Sequence, residues 1–175
     1  PQLCTYLLSL CGPSMTRLDL EIGKICAFSG APEIVRADID AVVEPTLEAV
    51  VFQITDALGQ RRFDAALEYL NAVLKMQESP IAVVAAIGAQ MRRLRAAKLL
   101  QTQGIGESGL AQLCGIKPYA AGKLVTQARQ LSERFCEQGV LLCCQTDLRL
   151  KSSAEEPQRV VEELILRLAE EARRD

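Results

Sequence analysis

The chain has 175 residues, of which 49% are apolar and 24% are charged, and its net charge is −2 at neutral pH. This composition is typical of a globular protein at a length that suits one domain, or one domain with a small neighbour. The sequence contains no histidine, which excludes Ser-His-Asp triads, Cys-His dyads and HExxH zinc sites.

Apolar residues recur at helical spacing along the whole chain, and no segment alternates with the period of a strand. We therefore predict an all-α fold, with Ser14, Ser79 and Ser132 as N-caps. The predicted helices, in chain order, cover residues 2–10, 15–29, 35–43, 47–58, 62–76, 80–103, 108–114, 118–130, 133–151 and 157 onward. Two predicted core stripes are Met15, Leu18, Ile22, Ile25 and Cys26 in the second helix and Phe63, Ala66, Leu67, Leu70, Val73 and Leu74 in the fifth.

A break at Glu44-Pro45 divides the chain, because proline disfavours helical backbone in the residue before it. We predict a small helical unit over 1–43, a hinge over 44–46 and a larger helical domain over 47–175. The chain begins at Pro1 without a methionine, so we also expect it to be a piece of a longer protein.

Residues 90–134 form a basic island, with eight basic and two acidic side chains. Arg92, Arg95 and Lys98 follow one another at intervals of three, so they share a face of the predicted helix 80–103. We interpret this face either as a solvated surface or as a contact with another subunit.

The sequence offers no catalytic or cofactor site. Residues 104–109 match G-x-G-x-x-G, but a helix precedes them instead of a strand, so we predict a flexible loop. No phosphate-loop motif occurs, and the acidic pairs fall on polar helix faces. The seven cysteines form no C-x-x-C pair, so we predict buried, reduced thiols in a cytoplasmic protein that holds no metal. No apolar run is long enough to span a membrane.

Residues 108–130 also have the pattern of a helix-turn-helix. Ala111 would lie at the helix crossing and Gly115 in the turn. The reading helix would carry Lys117, Lys123, Gln127 and Arg129. A helix-turn-helix DNA-binding regulator is therefore the alternative function, although the same pattern fits any tight corner between two helices.

The order and spacing of several helix-packing motifs add a resemblance. Over nearly its whole length the chain resembles the C-terminal half of the delta subunit of the bacterial DNA polymerase III clamp loader. The matching motifs are Glu21-Ile22-Gly23-Lys24-Ile25, Val51-Phe52-Gln53-Ile54-Thr55-Asp56-Ala57-Leu58, Ala66-Leu67 with Leu70, Ser79-Pro80-Ile81, Gln90-x-Arg92-x-Leu94, Gly115-Ile116-x-Pro118-Tyr119, Gln127-Ala128-Arg129 and Asp147-Leu148-Arg149-Leu150-Lys151-Ser152. One departure is Ile34-Val35, where the family usually has a capping threonine in second place.

The resemblance implies a division of labour. Residues 1–43 would end the helical lid of an AAA+-like module, and residues 47–175 would form the collar through which five subunits associate. The implied partners are the ATPase subunits and delta-prime. The sliding clamp would be reached only through an N-terminal domain absent here, and DNA only through the complex. The fragment itself would be no enzyme, bind no cofactor and have no membrane partner, while its parent protein would belong to the DNA polymerase III holoenzyme.

Overall fold

A computed structural model describes residues 2–12, 14–76 and 78–174. These residues contain no strand, and the predicted all-α fold is confirmed. The helices are α1 (Gln2–Cys11), α2 (Met15–Ser29), α3 (Arg36–Val42), α4 (Leu47–Gly59), α5 (Phe63–Lys75), α6 (Pro80–Thr102), α7 (Glu107–Cys114), α8 (Pro118–Arg129), α9 (Glu133–Ser152) and α10 (Pro157–Arg174). None of the described helices is both long and apolar enough to cross a lipid bilayer.

The chain divides into two compact units, residues 1–50 and residues 51–175, so that the division falls inside α4. The predicted hinge 44–46 lies shortly before it. Backbone contacts hold this segment within the first unit, because Thr46 donates its N–H to the Leu10 carbonyl at 2.9 Å. The guanidinium of Arg17 also donates to the Glu44 carbonyl at 2.9 Å.

The first unit has a small core in which α2 packs against α1 and α3. The buried residues of this core are Leu7, Leu10, Cys11, Ile25, Ile39 and Val43. The predicted stripe of α2 is partly wrong, because Met15, Ile22 and Cys26 are exposed and Glu21 is buried. Two neighbouring short helices cover only one part of a wide apolar face, and the remainder of that face stays open to solvent.

The second unit is organised around α6, which packs against α7, α8, α9 and α10. Close approach of α6 and α9 depends on Gly139, since a Cβ there would lie 2.7 Å from the Met91 sulfur. The predicted stripe of α5 is wrong at Leu67, which is exposed, because α5 packs mainly against α10. The largest side chains fully buried in this unit are Ile54, Leu58, Ile87, Met91, Leu94, Leu110, Gln127, Phe135, Leu164, Ile165 and Leu168.

The three predicted serines all occupy N-cap positions, and two of them cap with their side chains. Ser14 accepts a hydrogen bond from the Arg17 N–H, and Ser132 accepts one from the Phe135 N–H at 2.9 Å. Ser79 occupies the predicted N-cap position of α6 and Pro80 follows in the first turn, but the Ser79 side chain makes no capping bond. At the start of α3 the Asp38 carboxylate accepts the Val35 N–H at 2.9 Å, although Val35 has no capping side chain.

Candidate functional site

The basic cluster, defined as Arg92, Arg95 and Lys98, lies on α6 away from the buried stripe of that helix. Arg92 is exposed, whereas Arg95 and Lys98 are half-buried. The stripe itself, formed by Val84, Ile87, Met91 and Leu94, is buried. Substitutions in the basic cluster therefore leave the core side chains of α6 in place.

Two members of the basic cluster are bound within the chain. Arg95 forms an ion pair with Glu137 of α9 at 3.3 Å. Lys98 donates to the Ala128 carbonyl at 3.0 Å, near the end of α8, where unpaired carbonyls favour a cation. Arg92 has no carboxylate partner in the described part of the chain. The three side chains thus lie along the edges of the interfaces that α6 forms with α8 and α9.

Arg92 also stands beside a buried thiol. Burial raises the pKa of Cys143 to about 12, with Cys144 adding to the effect and the nearby Arg92 charge opposing it. Cys143 therefore stays a protonated, unreactive thiol at neutral pH. The loss of solvation of the thiol thus raises its pKa by more than the positive charge of Arg92 lowers it.

An apolar ridge on α9 lies next to this region, and sequence reasoning missed it. We define the α9 ridge as Leu141, Cys144 and Leu148, whose spacing of three and four places them on one face. Leu141 is 49% exposed and Leu148 is 66% exposed. The signal for the ridge is that α9 carries apolar residues on a second face, opposite the buried Phe135 and Leu142.

The prediction that all cysteines are buried is wrong. Cys4, Cys26 and Cys144 are exposed, and Cys114 is intermediate. Cys143 and Cys144 show the reason: consecutive residues of a helix point about 100° apart, so Cys144 is turned out of the buried face that Leu142 and Cys143 share. No group of three potential metal-binding side chains lies together among the residues that the structure describes.

The helix-turn-helix interpretation correctly predicted a tight turn between α7 and α8, but it is wrong about one residue predicted to contact DNA. Gly115 takes a left-handed conformation with φ of 61°, and the Ile116 N–H donates to the Ala111 carbonyl at 3.0 Å. Gln127, however, is only 1% exposed and so cannot reach a DNA groove. Lys123 lies over the Tyr119 ring at 4.8 Å. These contacts are those of a packing corner.

Gln127 instead belongs to a buried polar network that joins α4, α6 and α8. It accepts a hydrogen bond from Gln90 at 2.8 Å and donates to Thr55 at 3.0 Å and to the Phe52 carbonyl at 3.2 Å. Each buried polar group thereby obtains a partner, which buried amides require. Three separate motifs of the sequence meet at this network, which fixes the register of three helices.

The glycine-rich segment 104–109 has no strand before it, and its last glycine is needed for packing. A Cβ at Gly109 would lie 2.3 Å from the Ile105 side chain. The segment closes α6, with Gly104 at φ of 71°, and α7 begins at Glu107, one residue earlier than predicted. These are the contacts of a connection between two helices, as expected for a chain without the strand that a Rossmann site requires.

The described residues form an all-helical module in which several of these motifs pack together. The chain belongs to the family described as DNA polymerase III delta subunit, C-terminal domain, whose model matches residues 48–168. The resemblance inferred from the sequence is thus confirmed.

Two relatives are similar over almost the whole chain. DNA polymerase III subunit delta of Bacillus subtilis (strain 168) is 26% identical over 164 residues, covering 93% of this chain and 47% of the relative. The solved structure of the Bacillus subtilis DNA clamp loader delta protein has a TM-score of 0.83 at 26% identity, covering 94% of this chain and 49% of its own. The chain spans about half the length of these relatives.

Proposed function

We propose that this chain is the C-terminal part of a clamp-loader delta subunit, and that it assembles the loader without catalysing a reaction. Residues 1–43 would be the C-terminal part of a helical lid domain. Residues 44–46 would be the hinge to the next domain, and residues 47–175 would form the collar domain. The partners would be the ATPase subunits and delta-prime of a bacterial cytoplasm. The sliding clamp would bind the other half of the parent protein, and DNA would be reached through the complex.

The α9 ridge is the observation that carries the assembly role. A stable subunit contact buries more than about 1,000 Å², with apolar residues at its centre and charges at its rim. Leu141 and Leu148 supply an exposed apolar centre in the region that the family model covers. The Arg95–Glu137 ion pair joins α9 to the basic cluster, which would form the rim.

The test is binding of the chain to reconstituted ATPase and delta-prime subunits. Replacing Leu141 and Leu148 by Asp should weaken binding by at least about tenfold, since apolar centres dominate interface energies. Leu113→Asp is the control, because Leu113 is at least as exposed as Leu141 and close to Leu148 in exposure but lies on α7. Equal losses of binding affinity in the two variants would show that the α9 ridge is not part of the subunit contact.

The basic cluster should tune orientation and association rate more than affinity. Replacing Arg92, Arg95 and Lys98 together by Glu should weaken assembly strongly at low salt and little at high salt. The control reverses three exposed cations away from α6 and α9, namely Lys75, Arg159 and Arg173. Unchanged assembly of the first variant at low salt would show that the basic cluster is a solvated surface and not part of a subunit contact.

A further inference from the structure

The second unit contains a cleft whose lining includes two arginines. The turn after α4, the turn between α8 and α9 and the last turn of α10 line it. Arg61 and Arg129 are exposed on its walls, and Leu58 and Leu131 are buried beneath them. We call this the arginine cleft. The proposed assembly surface on α6 and α9 does not include any of these residues.

Arg61 occupies a backbone position that favours glycine. Its N–H donates to the Leu58 carbonyl at 3.1 Å, and the Arg62 N–H donates to the Ala57 carbonyl at 2.8 Å. These two bonds form a Schellman motif at the end of α4, whose left-handed residue is usually glycine. Arg61 has φ of 57°, the single positive value among the described non-glycine residues. The side chain is therefore held there at a conformational cost.

The charges of Arg61 and Arg129 are not neutralised within the described part of the chain, where neither side chain forms an ion pair or a hydrogen bond. The neighbouring cations differ. Arg62 pairs with Asp56 at 3.8 Å, and Arg134 pairs with Glu171 at 3.3 Å. Asp56 and Glu171 thus already have partners, and the cleft retains two unpaired guanidinium groups.

We propose that the arginine cleft binds a carboxylate group presented by an acidic protein segment. A guanidinium fork suits a planar carboxylate, which can accept two parallel hydrogen bonds. A nucleic-acid backbone needs a row of cations along its length, whereas the lining of this cleft includes two. That the segment comes from a neighbouring clamp-loader subunit rests on the proposed function; the carboxylate site itself does not.

The experiment titrates the isolated 175-residue chain with glutarate and, separately, with inorganic phosphate. The arginine side-chain Nε–H signals are followed by NMR. Glutarate should shift the signals of Arg61 and Arg129 in a saturable way. Arg129→Gln should weaken this binding about tenfold, the loss of one charge-assisted hydrogen bond. Lys75→Gln, at an exposed cation outside the cleft, should leave it unchanged.

Arg61→Gly separates a binding role from a structural one. Glycine relieves the positive φ, so the unfolding midpoint should rise by about 2 °C while glutarate binding weakens. A lower midpoint would make Arg61 structural and overturn the proposal. So would equal, non-saturating shifts of all arginines, or saturation by phosphate but not by glutarate. Because the titration uses no other subunit, its failure is distinguishable from failure of the assembly proposal.

Discussion

The two units bury their helices to very different extents. In residues 51–175, α6 has neighbours on several sides, and a large set of aliphatic side chains is excluded from solvent. In residues 1–50, three short helices share a core of six buried side chains. Small units bury a smaller fraction of their surface, so an amphipathic helix in such a unit keeps part of its apolar face exposed.

The exposed apolar residues of the first unit show this directly. Five large apolar side chains are exposed within these 50 residues, namely Met15, Leu20, Ile22, Phe28 and Val35. The second unit exposes its apolar residues in a different way, as single positions and as the α9 ridge opposite a well-packed face. Exposure therefore reflects an incomplete core in the first unit and, as we propose, a contact surface in the second.

The largest expected effect tests the core of the second unit. Leu164 and Leu166 lie two residues apart on α10 but are 1% and 51% exposed. Leu164→Ala should lower the free energy of unfolding by about 3 kcal/mol, because a buried cavity is created. Leu166→Ala should change it by less than about 0.5 kcal/mol. Chemical denaturation measures both, and similar losses would contradict the described packing of α10.

The next prediction compares the two units by native-state hydrogen exchange. Backbone amides of α1, α2 and α3 should exchange at least about tenfold faster than those of α6 and α9 after correction for intrinsic rates. This ratio corresponds to about 1.4 kcal/mol in local opening free energy. The reason is the smaller buried core of the first unit. Equal protection in both units would remove the distinction.

A smaller effect is expected at the helix caps. Ser132 accepts the Phe135 N–H, so Ser132→Ala should cost about 1 kcal/mol in the free energy of unfolding. Ser79 has the same position relative to α6 but makes no capping bond, so Ser79→Ala should have almost no effect. Thermal unfolding of the two variants, recorded side by side, checks this difference. Equal destabilisation would show that Ser79 caps α6 after all.

The smallest effect concerns pH and the exposed ion pairs of Arg149. This guanidinium lies 2.6 Å from Glu155 and 3.0 Å from Glu163 and lowers the pKa of both carboxyl groups. Because the folded-state pKa values are below the unfolded ones, the stabilisation is present above the unfolded values and is lost as the pH falls through the folded ones.

Arg149→Gln should therefore be less stable than the wild-type chain at pH 7, and the two should converge as the pH approaches 3. Urea denaturation at several pH values measures the convergence. Parallel curves for the two proteins over this range would show that the ion pairs add no stability, as happens for many exposed pairs.

Helical periodicity and the residues that begin or end helices predicted most of the architecture. Pro80, Pro118 and Pro157 each begin a helix as expected, and the α10 stripe Val160, Val161, Leu164, Ile165 and Leu168 is buried throughout. Errors arose where tertiary packing decides. The period of α2 marks its apolar face, but only its neighbours determine that Ile25 is buried and Ile22 exposed.

The candidate site was only partly predictable. The spacing of Arg92, Arg95 and Lys98 showed that they share a face. It could not show that Arg95 pairs with Glu137 or that Lys98 donates to the Ala128 carbonyl. Gln127 looked like a reading residue because a sequence cannot show which polar groups find partners in the core. The left-handed conformation of Arg61 was likewise not predictable, since glycine is the usual residue at that position.

The most direct test of the proposed assembly role is sedimentation velocity of the unmodified chain mixed with ATPase and delta-prime subunits from the same organism. The account predicts one faster-sedimenting species that contains the chain at the expense of the free form. Unchanged sedimentation of the chain as a 19.1 kDa species beside the other subunits, at low and at physiological salt, would contradict the assembly role.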